Sequence, residues 1–220
     1  MKESTKQNWD DFWDQKSDTK EVYANTDRIR RNLSRNLRLN GKRILEVGAG
    51  TGRDSFYMSQ DGASLVLLDY SMNSLKIIRD NLPSTENIGA VGGDAFALPF
   101  PDNSFDAVFH QGLLEHFREQ DAENLLKENI RVLKSGGFLV VDVPQRWHIY
   151  TVIKHALIAL NAWFAGWERE FSVGELRNLL KSLVMTPVDA YGEWMYPSLF
   201  YRTFREAFYK IGVKLPLYPR

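Results

Sequence analysis

The chain has 220 residues, 44% hydrophobic and 25% charged, which suits one globular domain with a sizeable core. Lysine plus arginine equals aspartate plus glutamate at 28 each, so no global field points to a nucleic acid or an acidic polymer. There is no cysteine, which excludes disulfides, thiolate metal sites and a cysteine nucleophile.

The opening MKESTKQNWDDFWDQK is polar and lacks the apolar core of a secretory signal. Together with the missing cysteines, this gives the expectation of a cytoplasmic protein. A short helix is expected over about Trp9 to Gln15, with Trp9, Phe12 and Trp13 on one side. A second is expected from Asp27 to Leu39, with Ile29, Leu33 and Leu37 as its apolar stripe. Arg28, Arg31, Arg35 and Arg38 share another face. That face reads as a solvated basic surface balanced by neighbouring acids; contact with phosphate or an anionic surface is the alternative.

From Lys42 the texture changes. RILEVG, SLVLLD, the weaker IGAVGGD (Ile88 to Asp94), FDAVFHQG and GFLVVDVP are short apolar runs, separated by helical patterns such as SMNSLKIIRDNL and QDAENLLKENIRVL. Strands rich in Val, Leu and Ile that alternate with helices predict an α/β fold: a doubly wound, Rossmann-like, mostly parallel sheet with helices on both faces. Such sheets bind ligands at the carboxyl ends of their strands.

The first strand runs into EVGAGTGRD, with Glu46, Gly48, Gly50, Gly52 and Asp54. Glycines at this spacing let the backbone turn tightly and approach a ligand. A dinucleotide fingerprint needs a last glycine where Arg53 stands, which weighs against a nicotinamide-dependent oxidoreductase. A carboxylate at Glu46 suits a ligand with an ammonium group; a helix cap is the alternative. Asp54 reads as an acid in the first turn of the next helix.

LEVGAGTGRD resembles the first motif of class I S-adenosylmethionine-dependent methyltransferases. SLVLLDYS, GGDAFALPFPDNSFDAVF and LKSGGFLVVDVP resemble the later segments in order, so the match covers about Arg43 to Pro144. The resemblance implies S-adenosyl-L-methionine as cofactor and S-adenosyl-L-homocysteine as product. It places Glu46, Gly48, Ala49, Gly50 and Gly52 around the cofactor in the first turn. It places Asp69, with Tyr70 and Ser71, at the ribose hydroxyls, and Asp94, with Ala95, at the adenine amino group. Gln111, Gly112 and Leu113 would touch the methionine portion. Asp69 and Asp94 could instead each cap the helix that follows.

HQGLLEHF looks like the E-x-x-E-H stretch of ubiquinone-pathway methyltransferases, which is associated with a divalent cation. Glu115 and His116 match its last two positions, but Gly112 stands for the first acid, so no metal is predicted. His116 is the candidate general base for a hydroxyl acceptor, and His110 the weaker one; a histidine that only shapes the loop is the alternative.

An insertion of about 27 residues, Gln145 to Phe171, follows the fifth strand. In it Ile149, Val152, Ile153, Ala156, Leu157, Leu160, Trp163, Phe164 and Trp167 form an apolar helical stripe. A charge at Lys154 would cost ~3 kcal/mol inside a membrane span, so no transmembrane segment is predicted. The expected structure is a lid helix over the acceptor pocket, with the stripe covered and Lys154 and His155 on the wetter side. SVGELRNLLKSL predicts a further helix, VDAYGEWMY a sixth strand, and VKLPLY is the candidate for a seventh.

The predicted organisation is a helical cap (1–41), a cofactor-binding core (42–144), a helical lid (145–171), and the end of the core with its tail (172–220). The expected function is methyl transfer to a small hydrophobic or aromatic acceptor. Nucleic acid is disfavoured as a partner, membrane-surface contact is allowed, and the protein would be a monomer or homodimer. The alternatives are a non-catalytic protein that binds S-adenosylmethionine or a partner, and an NAD-dependent oxidoreductase.

Overall fold

The computed structural model describes residues 5–14, 27–81, 87–160, 167–192 and 199–216. Five parallel strands form one sheet: β1 (Arg43–Val47), β2 (Ser64–Asp69), β3 (Ile88–Gly92), β4 (Phe105–Gln111) and β5 (Leu133–Asp142), in the order β3-β2-β1-β4-β5. Chain order reverses between β1 and β4, so a crevice opens at the carboxyl ends of those two strands.

Alternating side chains make two cores. Ile44, Leu65, Leu67, Ala107 and Phe109 pack on one face with α3 (Arg53–Gln60) and α2 (Arg28–Leu33), through Met58, Ile29 and Leu33. Leu45, Val47, Leu68 and Val108 pack on the other with Val132 of α5 (Glu119–Val132). The edge strand β3 is mostly exposed, and α4 (Met72–Asn81) connects β2 to it. The sequence expectation of a doubly wound α/β fold holds, and the described sheet is wholly parallel.

The N-terminal helix is α1 (Lys6–Asp14). The second helix is shorter than its stripe suggests. Asn32 donates its side-chain amide to the Arg28 carbonyl and Ser34 its hydroxyl to the Arg31 carbonyl, local bonds that compete with helix continuation. On the basic face Arg31 lies 3.4 Å from the acid Asp27, and Arg35 donates to the Asn32 side-chain oxygen. Arg28 is an exception to the solvated reading, because it turns inward and pairs with Asp142 at 2.7 Å.

The insertion forms α6 (Ile149–Ala159), but its orientation reverses the expectation. Val152 is 70% exposed and Leu160 76%, whereas Thr151, Lys154 and Ile158 are buried. The buried face is thus the one carrying the charge. Lys154 is fully buried, not on the wetter side, because Glu168 and Glu170 meet its ammonium at 2.8 and 2.6 Å. His155 stays half exposed, as expected. The side chains of Ile149, Ile153, Leu157, Trp163 and Phe164 lie outside the described residues. No described helix is long and apolar enough to cross a membrane.

Next comes α7 (Val173–Ser182), begun by a reciprocal cap between Ser172 and Glu175. Residues 188–192 of the expected sixth strand have no strand pairing, and 193–196 lie outside the described residues. The last helix is α8 (Leu199–Lys210). Residues 213–216 form no strand, and the rest of VKLPLY is not described, so the described sheet ends at β5.

Candidate active site

The turn after β1 carries three glycines in the left-handed region, Gly48 (φ 68), Gly50 (φ 54) and Gly52 (φ 65), which explains their alternation. The turn is fastened to β2. Gly48 and Ala49 donate their N–H groups to the Leu68 carbonyl at 2.8 and 3.0 Å. Gly50 donates to Asp69 Oδ2 at 2.9 Å and accepts from the Ser74 hydroxyl at 2.7 Å. The other Asp69 oxygen accepts the Ser71 N–H. Burial raises the Asp69 pKa, and these bonds oppose the rise. Asp69 therefore sits at the strand end assigned to it and organises the glycine turn from there.

Glu46 is buried and accepts the Ser55 hydroxyl at 2.5 Å. Burial lifts its pKa well above the usual range, against the hydroxyl and backbone amide of Ser55. This is the capping arrangement toward α3. Asp94 is exposed and accepts the Phe96 N–H at 2.9 Å, which pins the turn where Ala95 lies. Gly112 (φ 66) and Leu113 follow β4, and the Leu113 side chain closes on Gly48, where a Cβ would lie 3.1 Å from it.

Between these elements is a narrow cavity of about 10 Å³, lined by Glu46, Gly48, Ala49, Thr51, Arg53, Asp54 and Gln111. That is room for about one water molecule. A polar network that the sequence did not announce walls it. With its amide oriented to suit its neighbours, Gln111 donates to Asp54 Oδ2 at 3.1 Å and accepts from Arg28 at 2.6 Å. Arg28 also pairs with Asp142, whose other oxygen accepts the Tyr191 hydroxyl at 3.1 Å. Burial raises Asp54 to about 7, opposed chiefly by the Arg28 charge. Among the described residues, Thr51 Oγ1, Arg28 Nε and Asp54 Oδ1 are buried without a hydrogen bond. Asp54 was a first-turn acid in the sequence reading. Arg28 belongs to the basic face of the second helix in sequence, and Asp142 and Tyr191 carry no signal of this network, since the three come from segments that meet only in the fold.

A 3-10 turn, Leu114–His116, follows β4 and turns Glu115 and His116 inward. The His116 ring meets Trp9 edge-on at 4.9 Å, and its Nδ1 lies 3.8 Å from Glu168 Oε1. Burial lowers the His116 pKa, opposed mainly by Glu168. His110 is fully buried within β4, and burial lowers its pKa to about 4. No group of His, Asp or Glu among the described residues is arranged to hold a metal ion.

Glu115 is also buried, and burial raises it to about 8. A carboxyl group raised in the folded state holds its proton while the unfolded chain has lost it, so stability declines from about pH 4.5 to about pH 8. Glu115→Gln is therefore expected to raise the melting temperature at pH 8.5 and to change it little at pH 5. Thermal unfolding at the two pH values checks this; a larger gain at pH 5 would contradict it.

The helix α1 covers the site. Ser71 donates its hydroxyl to Asp10 at 2.5 Å, and Asn73 donates to the Asp10 carbonyl at 3.1 Å. Lys6 lies 5.7 Å above the Tyr70 ring, and Trp9 covers His116. The N-terminal helix thus spans from the end of β2 to the 3-10 turn.

Residues 45–141 match the family model described as "Methyltransferase domain". A demethylmenaquinone methyltransferase of Renibacterium salmoninarum is 44% identical over 46% of this chain and 40% of its own length. A ubiquinone/menaquinone biosynthesis C-methyltransferase of Azotobacter vinelandii is 37% identical over 46% of this chain and 42% of its own. The chain thus spans less than half the length of these curated relatives. In fold, a SAM-dependent methyltransferase from Thermotoga maritima superposes with a TM-score of 0.63 at 23% identity, covering 81% of this chain and 80% of that one. Residues 45–141 thus match a methyltransferase-domain model, and this stretch is similar to the quinone-pathway enzymes over 46% of the chain.

Proposed function

We propose that this protein transfers a methyl group from S-adenosylmethionine to a small hydrophobic acceptor, and that the acceptor is a quinol ring. The observation that carries the reading is the glycine turn tied to Asp69 within the matched domain. The names of the curated relatives, demethylmenaquinone and ubiquinone/menaquinone methyltransferases, support the acceptor class.

The residues present fit the cofactor. The turn offers backbone approach at three glycines, and Asp69, at the end of β2, would accept ribose hydroxyls in exchange for some of the donors that now hold it. Asp94, exposed beyond β3, would accept from the adenine amino group. The unmatched Arg28 and Asp54 atoms supply a cation and an acid for the carboxylate and ammonium of an amino acid, beside Gln111, Gly112 and Leu113. When bound, the cofactor supplies an activated methyl on sulfonium. The chain's share is positioning, water exclusion under α1 and removal of the acceptor's proton, for which His116 is the proposed base. Given the narrow cavity, α1 is the element we expect to shift on binding.

Calorimetry with S-adenosylhomocysteine beside NADH, followed by transfer of labelled methyl to a short-chain demethylmenaquinol, tests this. Binding of S-adenosylhomocysteine in the ~1–100 µM range, no heat with NADH, and label in the quinol are expected. Binding without transfer to any lipid, quinone or phenol would leave the non-catalytic reading instead.

A further inference from the structure

The two ends of the insertion are joined by a buried cluster of charges that methyl transfer by positioning does not require. Lys154 on α6 is fully buried and contacts Glu168 at 2.8 Å and Glu170 at 2.6 Å. Both acids are buried and lie in the segment before α7. Arg169, between them, donates its backbone N–H to the Glu115 carbonyl at 2.9 Å, which ties this segment to the 3-10 turn. The second Glu168 oxygen faces His116 Nδ1 at 3.8 Å. That nitrogen is buried without a hydrogen-bond partner among the described residues.

Buried ion pairs are a poor way to gain stability, because desolvation offsets much of their attraction. Lys154 sits between the two carboxylates, and on the outer side His155 lies 2.7 Å from Glu170. On the inner side the facing group is His116.

We infer that Glu168, anchored by Lys154, is the positioning residue for His116: it orients the imidazole and stabilises its protonated form. The inference rests on the reading of His116 as the base. In the step concerned, the acceptor's O–H bond breaks as an N–H bond forms on the imidazole. The methyl moves from sulfonium to the acceptor, and the S–C electron pair stays on sulfur. The imidazolium then faces the Glu168 carboxylate, and the proton later leaves to solvent. Besides Glu168, the groups facing His116 are Lys154 from α6, Glu115 of its own turn, the Gly112 backbone and the Trp9 ring of α1. Lys154 opposes the imidazolium and Glu168 favours it. The role resembles the carboxylate that holds a catalytic histidine in other enzymes.

The test follows the His116 ring by ¹⁵N NMR in the full chain, with the signal assigned by its loss in His116→Gln. Glu168→Gln is expected to lower the His116 titration midpoint by about one pH unit or more. Glu168→Asp, which keeps the charge, should lie between that variant and the parent. Because Glu168→Gln could weaken the fold, a second variant is needed. Lys154→Met with Glu170→Gln removes one charge of each sign but leaves Glu168, and should raise the midpoint. In turnover with the quinol, Glu168→Gln should lower kcat ~10-fold or more with KM little changed, and move the acid limb of the pH profile down with the midpoint. A midpoint unmoved by Glu168→Gln, equal shifts in the Asp and Gln variants, or a fall in the double variant would overturn the inference. Calorimetry with S-adenosylhomocysteine separates the two readings, since its failure concerns the domain and not Glu168.

Discussion

Gly50→Arg is expected to lower affinity for S-adenosylhomocysteine by at least ~100-fold, about 2.7 kcal/mol, while the chain still folds. Gly50 holds φ 54, where an L side chain costs ~1–2 kcal/mol. Its N–H and carbonyl are the two bonds that clip the turn to Asp69 and Ser74. An arginine there strains both and fills the approach that the turn keeps open. Gly41 is the matched control. It has φ 74 and open space around it, yet lies before β1, away from the cavity. Gly41→Arg should cost a similar ~1–2 kcal/mol of stability and leave binding intact. Calorimetry and urea unfolding on both variants decide between a site effect and a folding effect. Equal loss of binding in the two would remove the glycine turn from the cofactor site.

The largest stability loss is expected at Lys154. Removing one partner of a buried ion pair typically costs ~3–5 kcal/mol, because the remaining charge stays buried and uncompensated. Lys154→Ala would leave Glu168 and Glu170 facing each other without their cation. Lys127 provides the contrast. It also contacts a glutamate, Glu123, at 2.7 Å, but on the open face of α5. Lys127→Ala should cost under ~1 kcal/mol, since water and salt screen an exposed pair. Combining Lys154→Met with Glu168→Gln and Glu170→Gln should recover much of the stability lost in Lys154→Ala, by removing the orphaned charges along with the cation. Urea midpoints with unchanged slopes would measure this series. A Lys154→Ala loss no larger than that of Lys127→Ala would mean the cluster is solvated after all.

The two ends of the site differ in how visible they were. Gly48, Gly50, Gly52 and Asp69 stand at strand ends in a fixed order, and the fold uses them there because a parallel sheet delivers successive strand ends to one edge. The carboxylates of Glu46 and Asp94, read in sequence as cofactor contacts or caps, are engaged by Ser55 and by the Phe96 amide. The wall formed by Arg28, Asp54, Gln111, Asp142 and Tyr191 could not be read, since its members lie on five separate segments.

The sequence by itself determined the α/β class, the strands β1 to β5 (though it also expected a sixth that residues 188–192 do not form) and the turn that makes the domain a candidate binder of S-adenosylmethionine. The strands and the turn rest on periodicity and on glycine's freedom at positive φ, both local properties of the chain, and the cofactor on the resemblance of the ordered motifs to class I methyltransferases. It also located α6, but not the face that α6 buries. By hydrophobicity alone, Val152 and Leu160 belong inside and Lys154 outside. Only the tertiary structure brings Glu168 and Glu170 to Lys154, and paired charge can then be buried while apolar side chains remain in the open.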